Sequence, residues 1–204
     1  VNGDGPYAQT LQLPLVPFTL VGATTRTGLL TNPMRSRFGY VARLDYYPEE
    51  ALRSIIERSA RLLELSLSKE AAQELARRAR GTPRIANRLL RRGRDFAQVL
   101  SDGTLDGKTA REALERLDVD EAGLDQMDRR FLTVIIDHYD GGPVGIETLA
   151  AALSEPRDTL EDVYEPYLLQ RGLLARTARG RVATRHAFEH LGKEQPTGKQ
   201  PDLF

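Results

Sequence analysis

The stretch Phe18-Thr19-Leu20-Val21-Gly22-Ala23-Thr24-Thr25-Arg26 decides how the fold of this chain is interpreted. It begins as a short apolar run, β-branched or aromatic at most positions, and ends in small and hydroxyl residues. This pattern predicts a buried strand with polar side chains at its C-terminal end. Residues 7–22 as a whole predict one or two strands. In open α/β sheets ligands bind beyond the strand ends, so Thr24 and Thr25 are candidate site residues.

Two arginines follow this strand in Asn32-Pro33-Met34-Arg35-Ser36-Arg37-Phe38-Gly39. Arg35 and Arg37 lie just after a proline turn and just before an aromatic residue. A guanidinium group keeps its charge and can bind phosphate oxygens through two donors. The alternative is that both arginines are solvated on a surface loop. A third segment, Gly81-Thr82-Pro83-Arg84, favours the phosphate-binding interpretation.

Composition excludes several classes of site. The 204 residues carry a formal net charge of zero, so any affinity for nucleic acid must come from local patches. The sequence has no cysteine, which excludes disulfides, thiolate metal sites and cysteine nucleophiles. No carboxylate is spaced to complete a metal site with His186 and His190, so we predict no metal site. No apolar run approaches the roughly 18 residues of a membrane span, and we expect no membrane partner.

The middle of the chain predicts helices. Apolar residues recur at helical spacing from Pro48 through Leu65, Ser68 is placed to cap a second helix that ends at Gly81, and Pro83 begins a third. Gly93 lies inside the third helix and should weaken it by about 1 kcal/mol relative to alanine. In this part of the chain, a run of arginines without acids is followed by a run of acids. They are either solvated helix faces or one basic face that meets anions.

The last third predicts a winged helix. After a linker near residues 119–123 come three helical segments, ending near Gly141-Gly142-Pro143, spanning 146–153 and spanning about 157–170, and then a hairpin turning at Arg179-Gly180. In such a helix-turn-helix variant the second or third helix enters the major groove and the wing lies against the backbone. Four arginines on or beside the hairpin match phosphate or minor-groove contact: Arg176, Arg179, Arg181 and Arg185. The alternative is a winged helix that binds protein.

One segment imitates a phosphate-binding loop. Gly103-Thr104-Leu105-Asp106-Gly107-Lys108-Thr109 has three residues between its glycines where four are needed, and no strand precedes it. We interpret it as a turn between helices. No hydrophobic run ends in paired acids that could hold magnesium. We therefore expect the parts that hold nucleotide to be missing from this sequence, which opens in the middle of a pattern at Val1.

Several blocks together resemble the RuvB family of bacterial ATPases that drive Holliday-junction branch migration. The likeness extends from about Gly3 to Leu191. The blocks are residues 16–30, 33–39, 81–86, 141–145, 164–170 and 179–181. The resemblance implies a mixed α/β chain made of the C-terminal part of an AAA+ core, an α-helical lid and a winged-helix DNA-binding domain. The expected boundaries are 1–46, 47–118 and 119–191, with a disordered tail at 192–204.

The resemblance also implies residue roles. Thr25 matches the residue that senses the γ-phosphate and orients the attacking water, with Thr24 beside it. Arg37 matches the arginine finger that reaches into the nucleotide site of the next subunit, with Arg35 as a supporting candidate. Arg84 matches the lid arginine that reaches nucleotide. ATP and Mg²⁺ are the implied cofactors, held mainly by the missing part, so we expect the 204 residues alone not to hydrolyse ATP.

The implied partners are duplex DNA at Holliday junctions, further copies of the subunit in a hexameric ring, RuvA and the RuvC resolvase, in the bacterial cytoplasm. Gly5, Pro6 and Tyr7 resemble the far half of the hairpin that docks on RuvA. Separately, the terminal Gln200-Pro201-Asp202-Leu203-Phe204 resembles peptides that bind the sliding clamp, with Pro201 in place of the usual leucine. The rival hypothesis is a non-catalytic winged-helix DNA-binding regulator with a degenerate ATPase remnant.

Overall fold

A computed structural model describes residues 15–24, 28 and 30–195 of the chain. The chain divides into two units, residues 1–44 and residues 45–204. The predictions for Gly5, Pro6, Tyr7, Thr25 and the terminal segment 200–204 lie outside the described residues.

The buried strand predicted from the stretch 18–26 is not found in the described part of that stretch, residues 18–24. Residues 15–24 have no regular secondary structure, and Phe18 and Val21 are 68% and 85% exposed. A strand is held by backbone hydrogen bonds to a neighbouring strand, and no strand in the described part of the chain pairs with this segment. The only helix described here is the short α1 (Asn32–Arg35), which has Pro33 in its first turn.

The second unit begins with a helical domain that matches the predicted lid. Its helices are α2 (Glu49–Leu62), α3 (Lys69–Arg77), α4 (Pro83–Leu100) and α5 (Gly107–Arg116). Two short strands, β1 (Ser66–Leu67) and β2 (Thr104–Leu105), pair in parallel. The apolar faces of the helices form one core, whose fully buried members include Leu52, Ile56, Leu75, Leu90 and Leu114.

Capping residues fix two of these helix starts. The Ser68 hydroxyl accepts a hydrogen bond from the Ala71 N–H at 3.1 Å, as its sequence position predicts. The Asp106 carboxylate accepts from the Thr109 N–H at 2.7 Å and so occupies the start of α5. The imitation phosphate loop is therefore a short strand followed by a helix whose N-terminus is already capped by its own acid.

Gly93 has a packing reason that the sequence did not reveal. A Cβ atom at this position would lie 2.8 Å from Cδ2 of Leu105, which is fully buried. Helix α4 therefore approaches β2 closely at this point. The loss of helix propensity at Gly93 is offset by this close contact.

The remainder of the second unit is the winged helix. Its helices are α6 (Gln126–Tyr139), α7 (Ile146–Leu153), α8 (Arg157–Thr159), α9 (Glu165–Gln170) and α10 (Arg185–His190), and a π-helical turn (Leu160–Tyr164) joins α8 to α9. Strands β3 (Leu174–Thr177) and β4 (Gly180–Ala183) form the antiparallel wing. A second core forms around Phe131, Leu132, Ile135, Leu149 and Leu168. The mixed α/β class and the helix-hairpin order are confirmed.

Candidate functional site

The wing is a two-stranded hairpin, and one further residue forms an isolated bridge to β4. Val144 lies beside β4, donating its N–H to the Arg181 carbonyl at 2.9 Å and accepting from the Arg181 N–H at 2.8 Å. Gly180 has a φ of +139°, and a Cβ atom there would lie 2.3 Å from the Val144 carbonyl oxygen. Only glycine fits this approach, so the turn that carries Arg179 depends on Gly180.

Two carboxylates of the third helical segment, Glu161 and Glu165, bind arginines of the wing. Glu165 is fully buried and accepts from Nε of Arg181 at 2.7 Å and from an η-nitrogen of the same side chain at 3.2 Å. Glu165 also pairs with Arg176. Glu161 accepts from Arg181 at 2.7 Å and from Arg157 at 3.0 Å. These five side chains form one ion-pair cluster.

The position of Arg181 differs from the expectation that this residue contacts DNA. It is 8% exposed, and its guanidinium group is bound by Glu165 and Glu161. The hydrogen bond to Glu165 raises the pKa of Arg181 above its ordinary value. The hydrogen bond from Arg157 lowers the pKa of Glu161 below its ordinary value. Since both charges of each pair are satisfied internally, Arg181 is not available to phosphate in this structure.

The other three wing arginines have different surroundings. Arg176 is half-exposed, with its guanidinium on Glu165. Arg185 is 78% exposed and pairs with Glu189 one turn later, an arrangement of little energetic weight at a surface. Arg179 lies exposed at the hairpin turn, and within the part of the chain that the structure describes no carboxylate pairs with it. Arg179 is therefore the best placed of the four for contact with an anion.

Arg84 lies exposed in the first turn of α4. Thr82 at the N-cap makes no side-chain capping bond and instead donates its hydroxyl to the Ala79 carbonyl at 3.3 Å. Pro83 has no N–H group. The N–H groups of the next residues point out of the N-terminus of α4, which is the positive end of the helix dipole. This arrangement fits an anionic phosphate group. Gly81 sets the entry to the helix, because its φ of +68° brings it against Tyr46.

In the first unit, Arg35 ends α1 and Arg37 follows it, and both are exposed. Arg37 lines a shallow hollow with Phe18, Leu20 and Phe38. Thr24 is exposed as well.

A second buried ion pair, which the sequence did not suggest, joins the helical domain to the winged helix. Arg80 donates to the Gly123 carbonyl at 2.8 Å, pairs with Asp128 and lies 4.8 Å from the ring centre of Tyr167. Asp128 is fully buried, and burial raises its pKa to about 6 although Arg80 opposes the shift. Tyr167 donates its hydroxyl to the Ala122 carbonyl at 2.6 Å.

The described residues contain neither a candidate metal site nor a helix that could span a membrane. Among residues 15–24, 28 and 30–195, no three acidic or histidine side chains are grouped so as to hold a metal ion. No helix within these same ranges has both the length and the apolar character needed to cross a bilayer.

Comparison with known proteins gives consistent matches between residues 1 and 192. Residues 1–44 match the model of the Holliday junction DNA helicase RuvB P-loop domain, residues 47–120 the RuvB AAA lid domain, and residues 121–192 the RuvB C-terminal winged helix domain. The Holliday junction branch migration complex subunit RuvB of Rubrobacter xylanophilus is 60% identical over 192 residues, which are 94% of this chain and 54% of that protein.

Solved structures give the same result. The Thermotoga maritima RuvB Holliday junction branch migration motor matches with a TM-score of 0.85 and 50% identity, over 88% of this chain and 60% of that one. A substituted form of the Thermotoga protein matches with a TM-score of 0.84 over the same shares. The chain thus spans about half the length of the curated relative it matches.

Proposed function

Because the chain belongs to the RuvB family, we propose that it forms the C-terminal part of a subunit of an ATP-driven, hexameric DNA motor that branch-migrates Holliday junctions in recombination and repair. The observation that carries this proposal is the placement of Arg84. An exposed guanidinium in the first turn of an uncapped helix suits the phosphates of a nucleotide, and the same compact unit carries a DNA-binding type of domain.

The residue roles follow from this proposal. ATP and Mg²⁺ are held mainly by parts of the motor outside this sequence, and hydrolysis of ATP supplies the free energy. Arg84 binds nucleotide from the lid, while Thr25, with Thr24 beside it, orients water. Arg37, supported by Arg35, reaches a neighbouring subunit and stabilises transition-state charge, an effect worth about 10³ to 10⁵ in rate in well-studied systems.

The partners in this proposal are duplex DNA, RuvA and further copies of the subunit, with RuvC as a further candidate, in the bacterial cytoplasm. Residues Gly5, Pro6 and Tyr7 dock on RuvA. Arg179 and Arg185 contact DNA, with the half-exposed Arg176 at the edge of the contact. The segment Gln200 to Phe204 binds the sliding clamp, which a clamp pull-down with and without Leu203 and Phe204 tests.

The proposal is tested by mixing this chain with the full-length Rubrobacter RuvB and measuring ATP hydrolysis. The wild-type chain should enter rings and alter the rate, and Arg37→Ala should alter it differently because the finger acts across an interface. Arg61→Ala, an exposed arginine of α2, is the control and should behave as wild type. Identical rates with wild type and Arg37→Ala, with co-sedimentation demonstrating assembly, would contradict the role of Arg37.

The chain on its own should show no ATP hydrolysis above background. Hydrolysis by the purified chain that Arg84→Ala abolishes would contradict this part of the proposal, because it would place a complete nucleotide site within the 204 residues. The rival regulator hypothesis predicts DNA binding without any effect on the ATPase rate of the full-length relative.

A further inference from the structure

We propose that Glu165 is a positioning residue that holds the wing in its DNA-contacting conformation, and that Arg181 acts through Glu165 and not through contact with DNA. This inference rests on the proposed function, since it specifies how the winged helix meets DNA. Under this inference, Arg179 is the arginine that contacts DNA directly at the tip of the wing. The Arg176 side chain pairs with Glu165 and is partly exposed to solvent.

The first argument is the pairing of like charges across the wing. In the register of the hairpin, Arg176 lies directly opposite Arg181. Two like charges in directly opposed positions destabilise a two-stranded ribbon. The Glu165 carboxylate accepts hydrogen bonds from both guanidinium groups and so removes this repulsion. Without it, the hairpin would carry two facing cations.

The second argument is the burial of the partners. Glu165 is 0% exposed and Arg181 8% exposed, so neither charge is hydrated well enough to stand alone. Arginine binds a carboxylate through two parallel N–H donors in a fixed fork, and Nε and an η-nitrogen of Arg181 make this contact with Glu165. The fork fixes the direction of β4 relative to α9. It therefore fixes where the turn carrying Arg179 points.

The third argument is the helix that carries the acids. Glu161 lies inside the π-helical turn Leu160–Tyr164 and Glu165 follows it, with its N–H donating to the Leu160 carbonyl. Single π-helical turns inside α-helices occur frequently at functional sites. Here the turn lies where both carboxylates face Arg181. The π-helical turn therefore directs both carboxylates toward the wing.

The proposal predicts an unusual effect on DNA binding when the negative charge of Glu165 is removed. Removing a negative charge from a DNA-binding domain should tighten DNA binding if the charge acts only through space. If Glu165 positions the wing, removing its charge should weaken binding, because the fork is lost and the buried Arg181 guanidinium is left poorly paired.

The first experiment measures binding of a labelled duplex to the full chain by fluorescence anisotropy at several salt concentrations. Glu165→Gln should bind about tenfold more weakly than wild type. The control is Glu194→Gln, which removes the same charge at an exposed position outside the cluster and should bind as wild type or slightly more tightly. If Glu165→Gln binds as tightly as Glu194→Gln, the proposal is overturned.

The second experiment remains decisive if Glu165→Gln fails to fold. Arg181→Lys keeps the buried positive charge but cannot form the two-donor fork. We expect it to lower the affinity for duplex about tenfold, while Arg171→Lys, a matched change at an exposed arginine of the same domain, leaves the affinity unchanged. A lysine can replace arginine at a simple phosphate contact. Retained affinity in Arg181→Lys would therefore overturn the positioning role.

The outcomes separate this inference from the proposed function. Duplex binding by wild type together with unaltered binding by Glu165→Gln and Arg181→Lys would overturn the inference alone. Absence of duplex binding by the wild-type chain would contradict the DNA-binding function of the winged helix and overturn the inference with it. Weakened binding in both variants, with folding verified by thermal unfolding, supports both.

Discussion

At the scale of single residues, Asp128 shows how burial and a neighbouring cation compete for one carboxyl group. Burial disfavours the charged form, and the Arg80 guanidinium favours it. The result is a pKa of about 6, raised from 3.8. At neutral pH the group is mostly ionised and paired with Arg80, and it takes up a proton in mildly acidic solution.

This raised pKa predicts a specific pH dependence of stability. The folded state binds the proton of Asp128 more tightly than the unfolded state does, so the proton-linked stabilisation is complete below pH 4 and disappears as the pH rises through about 6. Across this window, the free energy of unfolding of the wild type should fall relative to Asp128→Asn by as much as about 3 kcal/mol. Chemical denaturation at several pH values measures this difference.

The control for this prediction is Glu121→Gln, an exposed acid close to the same junction, whose difference from wild type should not follow this pH profile. A constant difference between wild type and Asp128→Asn from pH 4 to pH 7 would mean that Asp128 titrates with its ordinary pKa in the folded chain. The attraction of Arg80 would then balance the effect of burial on the pKa of Asp128.

The ion pairs between residues of different elements could not be predicted from the sequence. The arginines of the wing were recognised from their spacing, but Glu161 and Glu165 lie upstream of Arg181 on a different element. Only the folded hairpin brings these charges together, so the cationic Arg176 and Arg181 are paired with carboxylates that another element contributes. Arg80 and Asp128 are 48 residues apart in the sequence, and their pairing could not be predicted for the same reason. Arg84, by contrast, lies in the first turn of α4, as the local sequence around Pro83 predicts, and its role toward nucleotide stays a proposal.

At the scale of elements, the wing depends on one glycine. Gly180 combines a φ of +139° with a backbone oxygen 2.3 Å from the place where a Cβ atom would stand. Gly180→Ala should therefore push β4 away from Val144 and destabilise the chain by about 3 kcal/mol. Thermal or denaturant unfolding measures the loss.

Gly145→Ala is the matched control for the wing. A Cβ atom at Gly145 would meet only Thr148 Oγ1 at 3.9 Å, an ordinary contact, and the φ of −70° is open to alanine. We expect a cost below about 1 kcal/mol, from the weaker N-cap of α7. A Gly180→Ala variant as stable as Gly145→Ala would show that β4 can separate from Val144 without loss.

The elements themselves were largely predictable, because most are determined by local signals. The hydrophobic period located the helices of the second unit, Ser68 and Pro83 marked two helix starts, and the glycine turn located the hairpin. The exception is the strand expected at residues 18–24. A strand is not a local structure, because its stability comes from the neighbour with which it pairs. The composition of the segment indicates that it can be a strand but provides no partner.

At the scale of the whole molecule, both hydrophobic cores lie within the second unit. One joins residues between Leu52 and Leu114, and the other joins residues between Leu124 and Phe188. Burial of apolar surface is the main source of stability, and the described members of both cores all belong to the second unit, so we predict that this unit folds without residues 1–44. A chain consisting of residues 45–204 should therefore unfold cooperatively within a few degrees of the full chain.

A shorter chain that begins at Ser59 is the control, because it removes Leu52 and Ile56, which are buried in the core of the helical domain. Each loss of a buried side chain of this size costs about 2 to 5 kcal/mol, so this chain should lose the cooperative unfolding of that domain. Calorimetry on the three chains distinguishes the cases. If the chain 45–204 melted far below the full chain, residues 1–44 would have to contribute apolar contacts to the second unit, and the division at Leu44 would not describe two independent folding units.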